Sequence, residues 1–131
     1  MTRTAAQRTG DAAEALVERH LTRRGWRILA RRLRVGRSEL DLVALDPGPP
    51  PRLVAVEVRW RSARDWGLPE ETWRGSKRRS VRAGLARLLA AGALPDGRPL
   101  PRAVPAIDLV AVEPGPVGGG PPRLRHHRDV G

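Results

Sequence analysis

Residues 53–61, LVAVEVRWR, constrain the fold of this chain more than any other segment. Because residues two apart share one face of a β-strand, the segment predicts a strand with two different faces. One face is apolar along its whole length (Val54, Val56, Val58 and Trp60). The other face turns from apolar to charged (Leu53, Ala55, Glu57, Arg59 and Arg61). A carboxylate and two guanidinium groups beside an apolar core have to be paired or bound to a ligand.

Hydrophobic spacing predicts two helices, at residues 11–24 and 76–91, with Asp11 near the first N-terminus and Gly25 as a stop. Strands are predicted at residues 26–34, 39–45, 53–61 and 106–113. Residues 123–128 are either a weak edge strand or a tail. The order α-β-β-β-α-β predicts an α/β fold, with a mixed sheet of four to five strands flanked by helices. The first three strands are expected to form an antiparallel meander.

Composition limits the class of protein. The 131 residues suit a single domain, with a core at about residues 10–113 and a Gly/Pro-rich segment and basic tail at 114–131. No apolar run approaches the roughly 20 residues of a membrane helix, and no leader peptide is visible. Cysteine is absent, which excludes disulfides and thiolate metal sites. We therefore expect a cytoplasmic protein that is not embedded in a membrane.

The net charge of +11 is the strongest compositional hint of a partner. A field of this sign attracts polyanions, and nucleic acid is the commonest polyanion of the cytoplasm. The chain has 24 arginines and a single lysine, Lys77, among its 25 basic residues. Such a bias is also typical of arginine-rich coding or of a solubility requirement, so charge alone leaves nucleic-acid binding open.

Carboxylates on neighbouring strands predict a metal site. Glu39 and Asp41 are two apart in the second strand, and pairing of Asp41 beside Glu57 would bring three carboxylates together. Like charges at that distance resist joint ionisation, and a hard divalent ion such as Mg²⁺ resolves the conflict. A metal held there could activate water at a phosphate, with Arg59 adding positive charge. The alternative is simple cross-strand pairing of Glu57 with an arginine.

The segments GDAAEALVERHL, SELDLVAL, LVAVEVRWRS, SKRRSVRAGLARLL and AIDLVAVE occur in an order that resembles the YraN-like protein family. That family is assigned to the PD-(D/E)xK nuclease superfamily, similar to archaeal Holliday junction resolvases. Its signature, G-E-[IL]-D-L-[IV]-A followed by a strand F-V-E-V-K-x-R, corresponds to residues 38–44 and 55–61. The resemblance covers about residues 10–113. It implies a restriction-endonuclease-like core, Mg²⁺ or Mn²⁺ as cofactor, structured DNA as partner and, by analogy with resolvases, a homodimer.

The resemblance also implies roles for individual residues. Asp41 and Glu57 would hold the metal, with the carbonyl of Val58 as a further ligand. The remaining catalytic positions would be Arg59, which stabilises charge, and two acids that orient water or a second ion (Glu39 and Glu14). Arg61 and Lys77 match basic positions of the family. With Arg78 and Arg79, which add positive charge to the first turns of the second helix, they would contact the nucleic-acid backbone.

The sequence departs from the family at its most sensitive position, because Arg59 stands where the strand lysine is expected. Ser38 likewise replaces the glycine before the first acid. An amine can lose its proton and orient water, whereas a guanidinium stays charged and is a poor base. Either Arg59 performs an electrostatic role, or the site is degenerate, or Lys77 supplies the amine from the second helix. Lys77 could equally be a solvated charge at a helix terminus.

Three functions remain open from sequence alone. The first is a Mg²⁺-dependent endonuclease or resolvase-like protein acting on structured DNA. The second is a nucleic-acid-binding module with a degenerate site, and the third is a basic interaction protein with no nucleic-acid role. Outside the candidate site, Asp108 is expected to pair with Arg61. His126 and His127 are neighbours in sequence and would point to opposite faces of a strand, so they do not predict a metal pair.

Overall fold

The computed structural model describes residues 2–61, 67–116 and 118–131. Within these ranges the elements follow the predicted order (α1 Ala5–Arg23, β1 Arg27–Val35, β2 Ser38–Asp46, β3 Arg52–Trp60, a 3₁₀ turn Pro69–Thr72, α2 Gly75–Ala91, β4 Val104–Glu113 and β5 Arg123–His127). The strands form one five-stranded sheet in the order β1-β2-β3-β4-β5. Only the β3–β4 pair is parallel among these described strands. This mixed α/β sheet confirms the predicted fold class and is consistent with the restriction-endonuclease-like arrangement.

The central strands are buried because a helix covers each face of the sheet. One apolar cluster packs α1 residues Val17 and Leu21 against the face that carries Val54 and Val56. The second cluster packs α2 against the opposite face (Val81, Leu85, Leu88, Leu53, Ala55 and Ile107). Strands covered on both faces read as nearly continuous apolar runs, which accounts for the composition of β3 and β4. The two-faced strand predicted for residues 53–61 is therefore confirmed.

Helix α1 begins at Ala5, so the predicted start near Asp11 is wrong. Thr4 and Gln7 form a capping box: the Thr4 hydroxyl accepts from the Gln7 N–H at 3.1 Å, and the Gln7 side chain accepts from the Thr4 N–H at 2.8 Å. The apolar stripe begins only at Ala13, which is why periodicity missed the first two turns. In the described part of the chain, neither helix is long and apolar enough to cross a bilayer.

The alternation of β2 breaks at Asp41. Leu42 and Ala44 pack on the α1 side, whereas Leu40 packs on the α2 side, so the predicted common face of Leu40, Leu42 and Ala44 is wrong. On β1 the matching position is Arg32, between the pairs Arg31–Leu42 and Leu33–Leu40. Its φ of 46° lies in the left-handed region that non-glycine residues seldom adopt. Both strands thus change phase at the same level of the sheet.

Residues 123–127 form the edge strand β5, paired antiparallel with β4, rather than an unstructured tail. The segment that follows also returns to the sheet, because the Val130 N–H donates to the Ile107 carbonyl at 2.8 Å. His126 contacts Asp108 through Nε2 at 2.8 Å, and His127 contacts Glu70 at 2.9 Å. The C-terminal strand is therefore tied to the core by side chains as well as by its backbone.

Candidate active site where strands β2 and β3 diverge

Asp41 and Glu57 lie side by side at the point where β2 and β3 stop pairing through their backbones. The last backbone-paired residues are Leu42 and Val56. One step further, Glu57 Oε2 accepts a hydrogen bond from the Asp41 N–H at 3.2 Å, and Asp41 Oδ2 accepts from the Val58 N–H at 2.9 Å. Each carboxylate thereby takes the place of a backbone hydrogen bond between the two strands, and the two carboxyl groups lie close together. This is the side-by-side placement that the sequence predicts.

Glu57 is fully buried, and burial makes its charged form energetically unfavourable. Its Oε1 has no hydrogen-bond partner among the described residues and lies 3.5 Å from Lys77 Nζ, which is ion-pair range. Burial raises the pKa of Glu57 to about 7, and the Asp41 charge adds to the rise against the opposing charge of Lys77. Burial also raises the pKa of Asp41, although the Val58 N–H opposes that shift. Strongly shifted carboxyls of this kind are typical of functional sites.

Glu14 reaches the same region from helix α1. With Asp41 it lines a cavity of about 380 Å³ between α1 and strands β1 and β2. Arg32 Nη2 donates to Glu14 Oε2 at 3.0 Å and also ion-pairs with Asp11. Burial, followed by the charges of Asp41 and Glu39, raises the pKa of Glu14 to about 7. The acidic helix position predicted from the sequence therefore does face the strand carboxylates.

Glu39 does not join the buried pair. Its side chain is 47% exposed and forms an ion pair with Arg34 at 3.4 Å. Its negative charge still raises the pKa of Asp41 and of Glu14, although it is the lesser cause in both. Both Glu39 and Asp41 therefore act on Glu14 of helix α1, but it is Asp41 that accepts a hydrogen bond from β3. Glu39 consequently lies at the rim of the site.

The cations predicted to lie near the carboxylates differ in their exposure to solvent. Arg59 lies two residues beyond Glu57, and its Nε is buried without a hydrogen-bond partner among the described residues. Its charge lowers the pKa of both Asp41 and Glu57, as a minor cause. The first two turns of α2 carry Lys77, which is partly buried, and the exposed Arg78 and Arg79. The Arg61 backbone is fixed by a hydrogen bond from its N–H to the Val112 carbonyl at 3.3 Å.

The donor set fits a hydrated hard ion rather than an all-protein cage. Among residues 2–61, 67–116 and 118–131, no three His, Cys, Asp or Glu side chains gather closely enough to enclose a metal. Mg²⁺, however, keeps several waters and is commonly held by one or two carboxylates. Asp41 and Glu57 provide two, and Oε1 of Glu57 is the buried oxygen without a hydrogen bond in the described structure. The pair therefore suits such an ion.

The predicted pairing of Asp108 with Arg61 is wrong. Asp108 is fully buried and binds Arg52 through two hydrogen bonds, at 3.0 and 2.9 Å. Arg61 lies just beyond the opposite end of β3 from Arg52, where its N–H donates to the Val112 carbonyl, and Asp108 is already bound to Arg52 and His126. Sequence reasoning also missed Arg32, because its position depends on the phase change of β1. Arg52 gave a weak signal as the one charged residue between a proline run and an apolar strand.

The fold and the site define a small α/β domain of restriction-endonuclease-like arrangement, with paired acids where its second and third strands diverge. The chain belongs to the family described as Uncharacterised protein family UPF0102, whose model matches residues 13–112. The predicted YraN-like resemblance is thereby confirmed.

Relatives of similar length are about 40% identical to the chain over the aligned residues. It is 40% identical over 108 residues to a UPF0102 protein of Roseiflexus castenholzii, covering 82% of this chain and 81% of that protein. It is 39% identical over 113 residues to UPF0102 protein STH1475 of Symbiobacterium thermophilum, with coverages of 86% and 88%. A UPF0102 protein of Anaeromyxobacter dehalogenans is 40% identical over 121 residues, with coverages of 92% and 81%. The region matched by the family model covers most of helix α1, all of helix α2 and strands β1 to β4.

Proposed function

We propose that this protein is a cytoplasmic, divalent-ion-dependent endonuclease that acts on structured DNA. The observation that carries the proposal is the Asp41–Glu57 pair, with Glu57 fully buried and Asp41 half-buried, in which each carboxylate accepts a backbone hydrogen bond from the opposite strand. Burying two acids side by side works against stability, because both are forced to protonate or to find a counter-charge. A site retained at that cost supports a functional role rather than a packing role.

A divalent ion would be held by the oxygens outside the two backbone hydrogen bonds, Asp41 Oδ1 and Glu57 Oε1. When bound, the ion would supply Lewis-acid stabilisation at a phosphate and a more acidic water. Arg59 is close enough to lower the pKa of both acids, and we infer that it would stabilise negative charge on the substrate. Glu14, with a pKa of about 7, can hold or release a proton near neutral pH.

The partner is inferred from the charge around this site. The net charge is +11, and Arg78 and Arg79 are exposed on the helix that also presents Lys77 to Glu57. Together with Arg61 they would contact phosphates, which position a duplex without reading its sequence. DNA with branches or flaps is proposed because of the resolvase-like family resemblance. The homodimer implied by that resemblance stays a prediction, which light scattering would test.

Cleavage assays test the proposal directly. Junction, flap and linear DNA are incubated with the protein in Mg²⁺ or Mn²⁺, beside the variants Glu57→Gln and Glu71→Gln. Glu71 is an exposed acid of the 3₁₀ turn and serves as the matched control. We expect cleavage that Glu57→Gln abolishes and Glu71→Gln leaves intact. Cleavage that survives Glu57→Gln would come from a contaminating nuclease and would overturn the proposal.

A degenerate nucleic-acid-binding module is the second candidate, and Arg59 in the place of the family lysine favours it. In that case the protein binds DNA but shows no divalent-ion site that depends on Asp41. Calorimetric titration of Mg²⁺ into the wild type and Asp41→Asn separates the two candidates. Cleavage that appears only in Arg59→Lys would support degeneration.

A further inference from the structure

Lys77 is the cation that compensates the buried charge of Glu57. Its Nζ lies 3.5 Å from Glu57 Oε1, whereas Glu57 Oε2 is engaged by the Asp41 N–H. The ammonium therefore faces the same oxygen that the proposed metal site needs. Two cations cannot both occupy the space in front of one buried oxygen without strong repulsion.

Interactions within helix α2 do not stabilise Lys77 at its position. The residue lies in the first turn, where the helix dipole favours anions, and the described helix has no acid in that turn and no side-chain cap from Arg74. Its side chain is 35% exposed, so the amine is within reach of solvent. A compact ammonium on a flexible four-carbon stem can change position at small cost, unlike a planar guanidinium.

We propose that Lys77 is a resident counter-cation of Glu57 that a divalent ion displaces. The inference rests on the proposed function and assigns Lys77 a positioning role in it. In the metal-free protein Lys77 neutralises Glu57. When a divalent ion takes Oε1, the ammonium moves to its exposed side and joins Arg78 and Arg79 on the surface that faces phosphate. Metal binding and DNA binding are then coupled, and each strengthens the other by the same factor.

Titration of Mn²⁺ without DNA tests the exchange. The variants are Lys77→Met, the conservative Lys77→Arg, and Arg78→Met as a control that removes a neighbouring exposed charge from the same helix. Removing a unit charge about 4 Å from a ligand oxygen should tighten Mn²⁺ binding by about tenfold for Lys77→Met. Arg78→Met should bind Mn²⁺ like the wild type, and Lys77→Arg should bind it no more tightly than the wild type, because the charge is kept and a guanidinium is less easily displaced.

Thermal unfolding gives a readout that does not depend on catalysis. In a chelator, Lys77→Met should unfold at a lower temperature than the wild type because Glu57 loses its counter-charge. Saturating Mn²⁺ should remove most of that difference, and in a Glu57→Gln background the difference should be small from the start. If Lys77→Met does not fold, Lys77→Gln carries the same expectations, since it removes the same charge.

Equal or weaker Mn²⁺ affinity in Lys77→Met would overturn the exchange, even if DNA cleavage persists and the proposed function stands. Conversely, tighter Mn²⁺ binding in Lys77→Met with no cleavage by any variant would support the exchange and remove the nuclease proposal. If the wild type shows no Mn²⁺ binding that depends on Asp41, as judged with Asp41→Asn, both the exchange and the nuclease proposal are overturned.

Discussion

A Cβ placed on Gly84 would lie 2.8 Å from the Cβ of Ser38, so helix α2 approaches strand β2 at the limit of backbone contact. The Ser38 hydroxyl donates to the Ser80 carbonyl at 2.7 Å at the same crossing. Lys77 lies about two helical turns before Gly84. The depth at which α2 packs at this crossing therefore sets how far Lys77 reaches toward Glu57.

Gly84→Ala should destabilise the protein by about 1–3 kcal/mol, because overpacking outweighs the gain in helix propensity. The added methyl meets the Ser38 Cβ, which is close to the backbone and cannot rotate away. Gly10→Ala is the matched control in helix α1, where a Cβ would make an ordinary contact of 3.6 Å with Trp60. Urea unfolding of both variants is the measurement. A stabilised Gly84→Ala would show that α2 is free to move away from the sheet.

Glu57→Gln should stabilise the protein at pH 8 by roughly 1–3 kcal/mol. The folded pKa of Glu57, about 7, lies above its ordinary value of 4.5, so the native state binds the proton more tightly than the unfolded state. Stability contributed by this group is present below about pH 4.5 and is lost as pH rises toward 7.

The advantage of Glu57→Gln over the wild type should therefore disappear below about pH 5. Urea unfolding at pH 5 and pH 8 is the measurement, with Glu71→Gln as the control. A Glu57→Gln variant that is less stable than the wild type at pH 8 would contradict the cost assigned to the buried charge.

Asp108→Ala should cost about 3 kcal/mol, because it removes a buried partner of Arg52. Burial alone would raise the pKa of Asp108, but hydrogen bonds from His126 and Arg52 outweigh it and hold the pKa at about 2. Stability from this group is therefore present above the unfolded pKa and lost as pH falls from about 4 toward 2. Denaturant titration at pH 7 and pH 3 should show a smaller penalty at pH 3. Asp96→Ala, which breaks an exposed pair with Arg98, should have a much smaller effect.

Arg78→Met with Arg79→Met should weaken DNA binding and flatten its salt dependence. Each phosphate contact contributes about 0.9 to the slope of log affinity against log salt on duplex DNA, so the slope should fall by up to about 1.8. Arg102→Met is the control, since Arg102 is exposed in the loop before β4, at the other end of the sheet. Fluorescence anisotropy across a salt series measures both quantities. Absence of any DNA or RNA affinity at about 50 mM salt would instead favour a basic interaction protein with no nucleic-acid role.

Periodicity was sufficient to predict the order of elements and the neighbours of the central acids. The alternation of residues 53–61 and the closely spaced preceding strand predict that Asp41 lies beside Glu57 if the two strands pair. Strands β3 and β4 could be predicted from the sequence because strands buried on both faces have nearly continuous apolar runs.

The features that periodicity missed depend on tertiary contacts or local backbone geometry. The phase change at Asp41 coincides with a φ of 46° at Arg32 on the neighbouring strand, and nothing in the residue type signals it. The first turns of α1 are polar, so only the Thr4 and Gln7 capping pattern marks their start. The partner of Asp108 is Arg52, although the register of β3 and β4 sets Arg52 opposite Val104 and Asp108 opposite Val56, so local spacing does not reveal this side-chain contact.

Both outer strands of the sheet are rich in cations. On β1 the exposed side chains are largely arginine (Arg27, Arg31, Arg32 and Arg34), and β5 begins at Arg123 and also carries Arg125. If the edge strands of two copies paired, their arginine side chains would repel each other. This repulsion disfavours edge-to-edge aggregation. Salt or a bound polyanion reduces this electrostatic repulsion. We therefore expect self-association of the protein to increase when this positive charge is neutralised.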